Sequence, residues 1–338
     1  MQHSVRRILI TLVCLGVVAV GVATAQTSYF VTNLASDMSG KTMHTDPLLK
    51  NPWGLAYAPG APFWVSDEAS GWSTLYDGKG NIQSLKVIVP PASGTGAGTP
   101  TGIVYNGSTE FKIDTWTSVF LFATLDGTIS GWSTFDPSTA LIGAHQAGAV
   151  YTGLAITSKT SGNMLYAADI ANNKVDVYDG NFNLVNSFTD ATIPAGFGPF
   201  GIQDIGGKVY VAYASQTGAS GGYIDIFTES GTLSKRLVSG RPLNNAWGMA
   251  IAPSNFGPMS SAFLVSNNTA NGNINAFNAS TGKFLGALKN SAGKALVING
   301  LWGIEFGGGT TSNGQKNQLF FTAGPSDKDG YFGFVGTH

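Results

Sequence analysis

Carboxylate and amide side chains lie at the ends of, or within, short apolar segments of the chain. Asp67, Asp169 and Asn267 each end such a segment, and Glu305 lies inside another. Oxygen ligands of this kind suit Ca²⁺ or Mg²⁺ better than softer metals. If these side chains converge, we expect a site in which a divalent ion polarises a carbonyl group and activates water. The favoured alternative is that they cap turns and bond to the main chain.

A histidine and an aspartate two residues apart form a second candidate for chemistry. His44 and Asp46 have the residue types of a general base and the carboxylate that orients it. The favoured alternative is that the histidine braces a loop through a hydrogen bond to the main chain. Catalytic roles for His44 and Asp46 are therefore a hypothesis for the structure to examine.

Four aromatic residues each stand directly before a glycine: Trp53, Phe200, Trp247 and Trp302. Their flat faces suit a sugar or another amphipathic ligand if they surround an opening. The favoured alternative is that most of them pack between neighbouring structural units, because such interfaces need bulky apolar side chains, and that one or two remain exposed.

The glycines that follow these residues belong to a repeat of an aromatic residue or threonine, then glycine, then an apolar residue. The six copies are Trp53-Gly54-Leu55, Thr101-Gly102-Ile103, Thr152-Gly153-Leu154, Phe200-Gly201-Ile202, Trp247-Gly248-Met249 and Trp302-Gly303-Ile304. Successive glycines are 48, 51, 48, 47 and 55 residues apart. Each unit continues with further apolar or alternating segments separated by turn residues, which indicates four strands. Six such units predict an all-β, six-bladed β-propeller.

The sixth unit ends after its third strand, Tyr331 to Val335, so a fourth strand must come from elsewhere. Tyr29 to Leu34 has a strand pattern and precedes the first unit. We expect it to pair with the last blade and close the ring, because closure removes exposed sheet edges. Residues 26–338 then form one propeller. The repeated glycine is expected on the innermost strand, where backbones crowd around the axis.

Aligned by blade, one residue follows each second strand. These residues are Asp67, Thr124, Asp169, Tyr213, Asn267 and Ala323. Gln203 and Glu305 share a position on two innermost strands. Both sets are expected near the central channel, where they would form the metal site. No histidine falls on an innermost strand, which argues against a histidine-ligated metal centre.

The first 25 residues predict a cleaved signal peptide. Arg6 and Arg7 precede the apolar run Ile8 to Val22, and Ala23-Thr24-Ala25 is a small-residue cleavage signal, with Gln26 as the expected mature start. We therefore expect export to the periplasm or the extracellular space without a permanent membrane anchor. Cys14, the only cysteine, lies in this segment, so the mature chain is expected to have no thiol chemistry.

The net charge argues against nucleic-acid binding, and one short match to a hydrolase pattern is better explained as a loop. A net charge of −1 provides no basic field for nucleic acid. Gly218-Ala219-Ser220-Gly221-Gly222 fits the G-x-S-x-G pattern of hydrolases, but a nucleophile elbow needs a strand before it and a helix after it. Here the segment is expected to join two strands, so we interpret it as a hairpin loop.

Longer motifs resemble a known group. They are His44-Thr45-Asp46-Pro47, Asn51-Pro52-Trp53-Gly54-Leu55-Ala56, Asp126-Gly127-Thr128-Ile129-Ser130-Gly131-Trp132 and Phe321-Thr322-Ala323-Gly324-Pro325. Together they resemble a family of exported bacterial conserved hypothetical proteins that is similar to NHL-type six-bladed propellers. The resemblance extends over the mature chain. It implies the fold and export, and it implies no particular reaction.

Three function classes follow. The first is a binding or scaffold module for a small molecule, a carbohydrate or a surface protein. The second is a metal-dependent hydrolase or lactonase built on the predicted Ca²⁺ or Mg²⁺ ligands, by analogy of fold with gluconolactonase-type lactonases. The third is a lyase, which the lack of an axial histidine disfavours. The sequence favours the binding module.

Overall fold

The computed structural model describes residues 28–157 and 162–338, which form an all-β ring of six blades. The predicted signal peptide, residues 1–25, and the expected mature start at Gln26 lie outside the described residues. In the described part, helical structure is confined to two 3₁₀ turns, Gly257–Met259 and Pro325–Asp327. No helix among these residues has the length and apolar character needed to cross a membrane.

The first blades follow one another along the chain. Before them come β1 (Tyr29–Ser36) and β2 (His44–Thr45). Blade 1 contains β3 (Pro52–Tyr57), β4 (Phe63–Asp67), β5 (Trp72–Tyr76) and β6 (Val87–Ile88). Blade 2 contains β7 (Pro100–Tyr105), β10 (Phe120–Thr124), β11 (Thr128–Trp132) and β12 (Leu141–His145), and its first loop carries the hairpin β8 (Lys112–Ile113) and β9 (Trp116–Thr117).

The next three blades repeat this antiparallel order. Blade 3 contains β13 (Tyr151–Thr157), β14 (Met164–Asp169), β15 (Lys174–Tyr178) and β16 (Leu184–Phe188). Blade 4 contains β17 (Phe197–Asp204), β18 (Val209–Ser215), β19 (Tyr223–Phe227) and β20 (Leu233–Ser239). Blade 5 contains β21 (Ala246–Ile251), β22 (Phe263–Asn267), β23 (Ile274–Phe277) and β24 (Phe284–Ala287).

The sixth blade joins the two ends of the chain, as the sequence predicts. It contains β25 (Leu301–Phe306), β26 (Leu319–Ala323) and β27 (Tyr331–Thr337). Strand β1 is antiparallel to β27, with Tyr29 opposite Thr337 and Ser36 opposite Tyr331. Strand β2 adds a short parallel edge to β1, so this sheet has five strands. The ring is therefore closed by main-chain hydrogen bonds between its ends.

The apolar core lies between the blades. It consists of six clusters of buried side chains, and each cluster combines residues of two adjacent blades. Trp64 of blade 1, for example, stacks on Phe120 of blade 2 with 4.3 Å between ring centroids. Since both faces of each sheet are covered by a neighbouring blade, most residues of the inner strands are buried.

The repeated glycines lie where adjacent innermost strands approach most closely. A Cβ added to Gly54 would stand 2.6 Å from the carbonyl oxygen of Thr101 in the next blade. One added to Gly248 would stand 2.8 Å from that of Trp302, and one on Gly303 would stand 2.8 Å from that of Trp53. A Cβ added to any of the other three repeat glycines would also lie within 3.0 Å of the innermost strand of the next blade, so the glycines permit the close approach that the sequence predicts.

Candidate functional site

The four aromatic residues that precede repeat glycines meet over the axis of the ring. Trp53 and Trp302 stack with 3.7 Å between ring centroids and 17° between their planes. Trp247 lies edge-on to both, at 6.3 and 6.0 Å, and Phe200 lies 6.0 Å from Trp53. We call these four residues the aromatic plug. The face of the ring that carries it, where the innermost strands begin, is the plug face.

Hydrogen bonds fix two of these rings. The Trp302 indole donates to Asn51 Oδ1 over 3.1 Å, and the Trp247 indole donates to the carbonyl oxygen of Thr152 over 2.8 Å. Blades 2 and 3 have a threonine where the other blades have an aromatic residue. These smaller side chains leave room on their side of the axis, which is how Trp247 reaches Thr152.

The stacked pair Trp53 and Trp302 comes from adjacent blades, so this contact is the packing between neighbouring blades that the sequence favoured. The contact of Trp53 with Phe200 joins blades on opposite sides of the axis, which neither predicted arrangement included. Trp53 and Trp302 are 8% and 4% exposed. Phe200 and Trp247 are half-buried, so they present part of their ring surfaces on the plug face.

A narrow axial cavity lies beneath the plug. One apolar residue from each blade lines it: Leu55, Ile103, Leu154, Ile202, Met249 and Ile304. It contains about 30 Å³ of water-accessible space, which suffices for one or two water molecules. A sugar-sized ligand needs far more room. The cavity is therefore too small to hold a sugar-sized ligand.

Gln203 and Glu305 lie together at the other end of this cavity, as their shared position in the repeat predicts. Gln203 is exposed and Glu305 is half-buried. No hydrogen bond joins the Glu305 carboxyl to any of residues 28–157 or 162–338. Burial against apolar walls raises the pKa of Glu305 to about 8. Burial, followed by the charge of Glu305, raises the pKa of nearby Tyr57 to about 12.

The other predicted metal ligands are engaged within their own blades. The Asp67 carboxylate accepts hydrogen bonds from the Thr74 amide, at 3.1 Å, and from its hydroxyl, at 2.7 Å. Asp169 accepts from the amide of Val150 over 3.1 Å and from the side chain of Asn172 over 2.7 Å. Burial raises the pKa of Asp67 well above its usual value, and the Thr74 hydrogen bonds oppose this rise. These are the turn-bracing bonds of the alternative interpretation.

The predicted ligands do not form one coordination shell. Asp67 pairs with Pro52 at the start of an innermost strand, whereas Glu305 is the fifth residue of its own innermost strand. Four residues of strand correspond to roughly 13 Å, several times a Ca²⁺–oxygen distance. Among residues 28–157 and 162–338, no three His, Cys, Asp or Glu side chains are grouped to hold a metal ion.

His44 and Asp46 are close in sequence but are not joined by a hydrogen bond. His44 lies in strand β2 rather than in a loop, because it pairs with Ala35. Asp46 is buried, where it accepts hydrogen bonds from the Tyr76 hydroxyl, over 2.9 Å, and from the Leu48 amide, over 3.0 Å. In this arrangement Asp46 braces the entry to blade 1 and does not orient the imidazole.

The plug face also carries a pocket that the sequence analysis missed. It is formed by three loops of blades 4 and 5 and is lined by Ser220, Arg241, Pro242, Leu243, Asn244, Asn267, Thr269, Ala270, Asn271 and Asn273. Its volume is about 460 Å³. We call it the amide pocket. The clustering of asparagine around position 270 was the only sequence signal, since the loops that meet there are distant along the chain.

Asn267, one of the predicted metal ligands, builds the floor of the amide pocket. Its side chain accepts a hydrogen bond from the Asn244 amide over 2.9 Å and donates to Asn273 Oδ1 over 2.9 Å. It also donates to the carbonyl oxygen of Pro242 over 3.2 Å. These bonds hold two of the loops together. Asn244, Thr269 and Asn271 line the pocket, and their side chains make no hydrogen bonds among the described residues.

The chain is similar in sequence to viral proteins. It is 32% identical to uncharacterized protein R648 of Acanthamoeba polyphaga mimivirus over 336 residues, covering 92% of this chain and 81% of the relative. It is also 31% identical to uncharacterized protein L690 of the same virus, and this match covers 84% of this chain and 79% of the relative. Neither is a bacterial protein, so the bacterial and exported character of the resemblance stays a prediction. No family model matches the sequence.

Solved structures share the propeller fold at low sequence identity. A gluconolactonase of Xanthomonas campestris has a TM-score of 0.57 at 12% identity, covering 86% of this chain and 88% of its own. An aldose sugar dehydrogenase of Streptomyces coelicolor has a TM-score of 0.56 at 14% identity, and the match covers 92% of this chain and 99% of the dehydrogenase. A virginiamycin B lyase of Staphylococcus aureus has a TM-score of 0.55 at 14% identity, and the match covers 91% of this chain and 99% of the lyase. These likenesses establish the architecture alone.

Proposed function

The chain belongs to the family of the mimivirus protein R648, and we propose that it is a carbohydrate-binding module whose plug face receives the ligand. One observation carries the proposal. Half-buried Trp247 and Phe200 lie on the same face as a pocket of about 460 Å³ lined by asparagine, serine and threonine. Carbohydrates combine apolar ring faces with hydroxyl groups, and this surface offers partners for both.

The amide pocket suits hydroxyl groups because of what its side chains can do. Each asparagine offers two donors and a carbonyl acceptor, and a threonine hydroxyl both donates and accepts. A sugar hydroxyl has the same dual character. The pocket lies at the lower end of the size range for small-molecule sites, which fits one or two sugar rings.

An array of soluble neutral and acidic oligosaccharides tests the proposal. We expect saturable binding of at least one class, and we expect Trp247→Ala to weaken it by about tenfold through the loss of ring contact. Gln203→Ala, which alters the opposite mouth of the channel, is the matched control and should bind like the wild type. Near-ultraviolet circular dichroism checks that each variant is folded. If Trp247→Ala does not fold, Phe200→Leu replaces it.

Two outcomes would refute the proposal. One is that no oligosaccharide binds to the folded wild-type protein. The other is that binding survives Trp247→Ala unchanged and is lost in Gln203→Ala, which would place the ligand on the opposite face.

The metal-dependent hydrolase has less support. Its predicted ligands are held by local hydrogen bonds, and Glu305 lies near the far end of the channel from Asp67. The proposal therefore gives Asp67, Asp169 and Asn267 structural roles.

Export is part of the proposal, because a carbohydrate-binding surface is useful outside the cell and residues 1–25 have the pattern of a signal peptide. Expression of the full chain in a secreting bacterial host, followed by intact mass measurement, tests it. The expected product begins at Gln26, whereas an intracellular product that retains Met1 would contradict export.

A further inference from the structure

Arg241 is the one charged side chain that lines the amide pocket, and no carboxylate lies among the other lining residues. The salt bridges between described residues join other side chains and do not include Arg241. It is exposed at the rim of the pocket. The pocket therefore carries a positive charge that the described part of the protein does not neutralise.

Ser220 orients the guanidinium. Its hydroxyl accepts hydrogen bonds from Arg241 Nε over 3.2 Å and from Nη2 over 2.8 Å. These two nitrogens form the side edge of the guanidinium, so the end edge, formed by Nη1 and Nη2, remains available. A free edge of this planar group matches the two oxygens of a carboxylate.

This also gives Ser220 a role. The segment Gly218–Gly222 joins β18 to β19 without a following helix, so it is a loop and not a nucleophile elbow. The Ser220 hydroxyl faces a guanidinium, and it has no hydrogen bond to a histidine among residues 28–157 and 162–338. It is therefore placed to hold Arg241 and not to attack a substrate.

We propose that the amide pocket binds the carboxylate of an acidic sugar, of the uronic acid type, through the end edge of Arg241. This inference rests on the proposed carbohydrate-binding function and names the class of ligand. The hydroxyls of the same sugar meet Asn244, Asn271 and Thr269, and its apolar edge lies against Pro242 and Ala270. A lone arginine among amides suits a single carboxylate, whereas a phosphate group usually receives several positive charges or backbone amides.

Isothermal titration calorimetry with trigalacturonate and its fully methyl-esterified form tests the inference. The two probes have the same sugar rings and differ in charge. We expect the acid to bind the wild-type protein at least about tenfold more tightly, as befits a charge-assisted pair. Arg241→Gln should abolish this preference and leave the weaker binding of the ester unchanged. The control variant Lys208→Gln removes an equal charge from a loop on the opposite face. It should preserve the preference for the acid over the ester.

Each other outcome has a definite meaning. Equal binding of acid and ester to the wild type refutes carboxylate recognition and leaves the carbohydrate-binding function standing. A preference that survives Arg241→Gln refutes this site. Equally tight binding of triaspartate would show that the pocket recognises acidic groups in general and refute the sugar class. Failure of every oligosaccharide to bind refutes both the inference and the function on which it rests.

Discussion

The indole nitrogen of Trp247 donates a hydrogen bond of 2.8 Å to the carbonyl oxygen of Thr152, which belongs to a blade two positions away around the ring. The bond passes over the axis and ties blade 5 to blade 3. Together with the stacked pair Trp53 and Trp302, it closes the channel beneath the plug face. The plug face therefore has no open channel mouth at the axis.

Replacing Trp247 by phenylalanine should destabilise the protein. Phenylalanine keeps an aromatic ring but cannot donate to the Thr152 carbonyl, so we expect a loss of about 1–2 kcal/mol in the free energy of unfolding. Thermal unfolding should show this as a decrease in Tm of a few degrees. The control is Trp116→Phe, because Trp116 is 45% exposed on the hairpin of blade 2. Equal Tm values for the two variants would show that the bond across the axis contributes nothing.

The innermost glycines should differ in their tolerance of alanine. A Cβ on Gly201 would overlap the carbonyl oxygen of Trp247, whereas one on Gly153 would stand 3.0 Å from that of Phe200. We expect Gly201→Ala to cost at least about 3 kcal/mol and Gly153→Ala about 1 kcal/mol. Urea unfolding of both variants measures the difference. A Gly153→Ala variant that is the less stable of the two would contradict the role assigned to close backbone approach.

Glu305 should make stability depend on pH. Its pKa rises from 4.5 in the unfolded chain to about 8 in the fold. Between those values the folded chain holds a proton that the unfolded chain has released, so the free energy of unfolding falls as pH rises through this window. Glu305→Gln removes this contribution to the pH dependence. At pH 8.5 we expect the free energy of unfolding of the variant to be about 2–4 kcal/mol larger than that of the wild type. This range is reduced for the partial exposure of the side chain.

Chemical unfolding at pH 4 and pH 8.5 measures this effect. At pH 4 the carboxyl is mostly protonated in both states, so the free energies of unfolding of the variant and the wild type should be nearly equal. Asp114→Asn removes an exposed carboxylate and serves as the control for net charge. A constant difference between Glu305→Gln and the wild type at both pH values would show that Glu305 ionises normally in the fold.

Divalent ions should not change the thermal stability. An ion that binds only the folded state raises Tm by mass action. Because the predicted ligands do not share one coordination shell, we expect the melting curves in 5 mM EDTA and in 5 mM CaCl₂ or MgCl₂ to coincide within about 1 °C, which is below the shift that a site bound at 100 times its Kd produces. A rise of several degrees that Asp169→Ala abolishes would restore the metal-site hypothesis.

The sequence predicted the ring because the repeat is a property of each blade by itself. The six repeat glycines, from Gly54 to Gly303, occupy equivalent positions. Their number therefore gives the number of blades, and their positions indicate which strands lie next to the axis. The closing strand followed from the same count, since the last unit lacked a fourth strand. The meeting of Gln203 and Glu305 at one end of the cavity followed from their shared position in the repeat.

The candidate site was less predictable for two physical reasons. The repeat places Trp247 on the axis but does not specify whether its ring points outward, toward a neighbouring blade or across the channel, because this depends on the small Thr152 on another blade. The amide pocket joins Ser220, Arg241 and Asn271 through loops that have no periodicity. Only the folded ring brings these three segments together.

Hydrogen–deuterium exchange with and without trigalacturonate tests the central claim, that the plug face is the ligand-binding face, most directly. We predict slower exchange on binding in residues 241–247 and 267–273, and unchanged exchange in the opposite loops at 205–208 and 252–262. Protection confined to those opposite loops, or no protection at a saturating concentration of the sugar, would contradict the account.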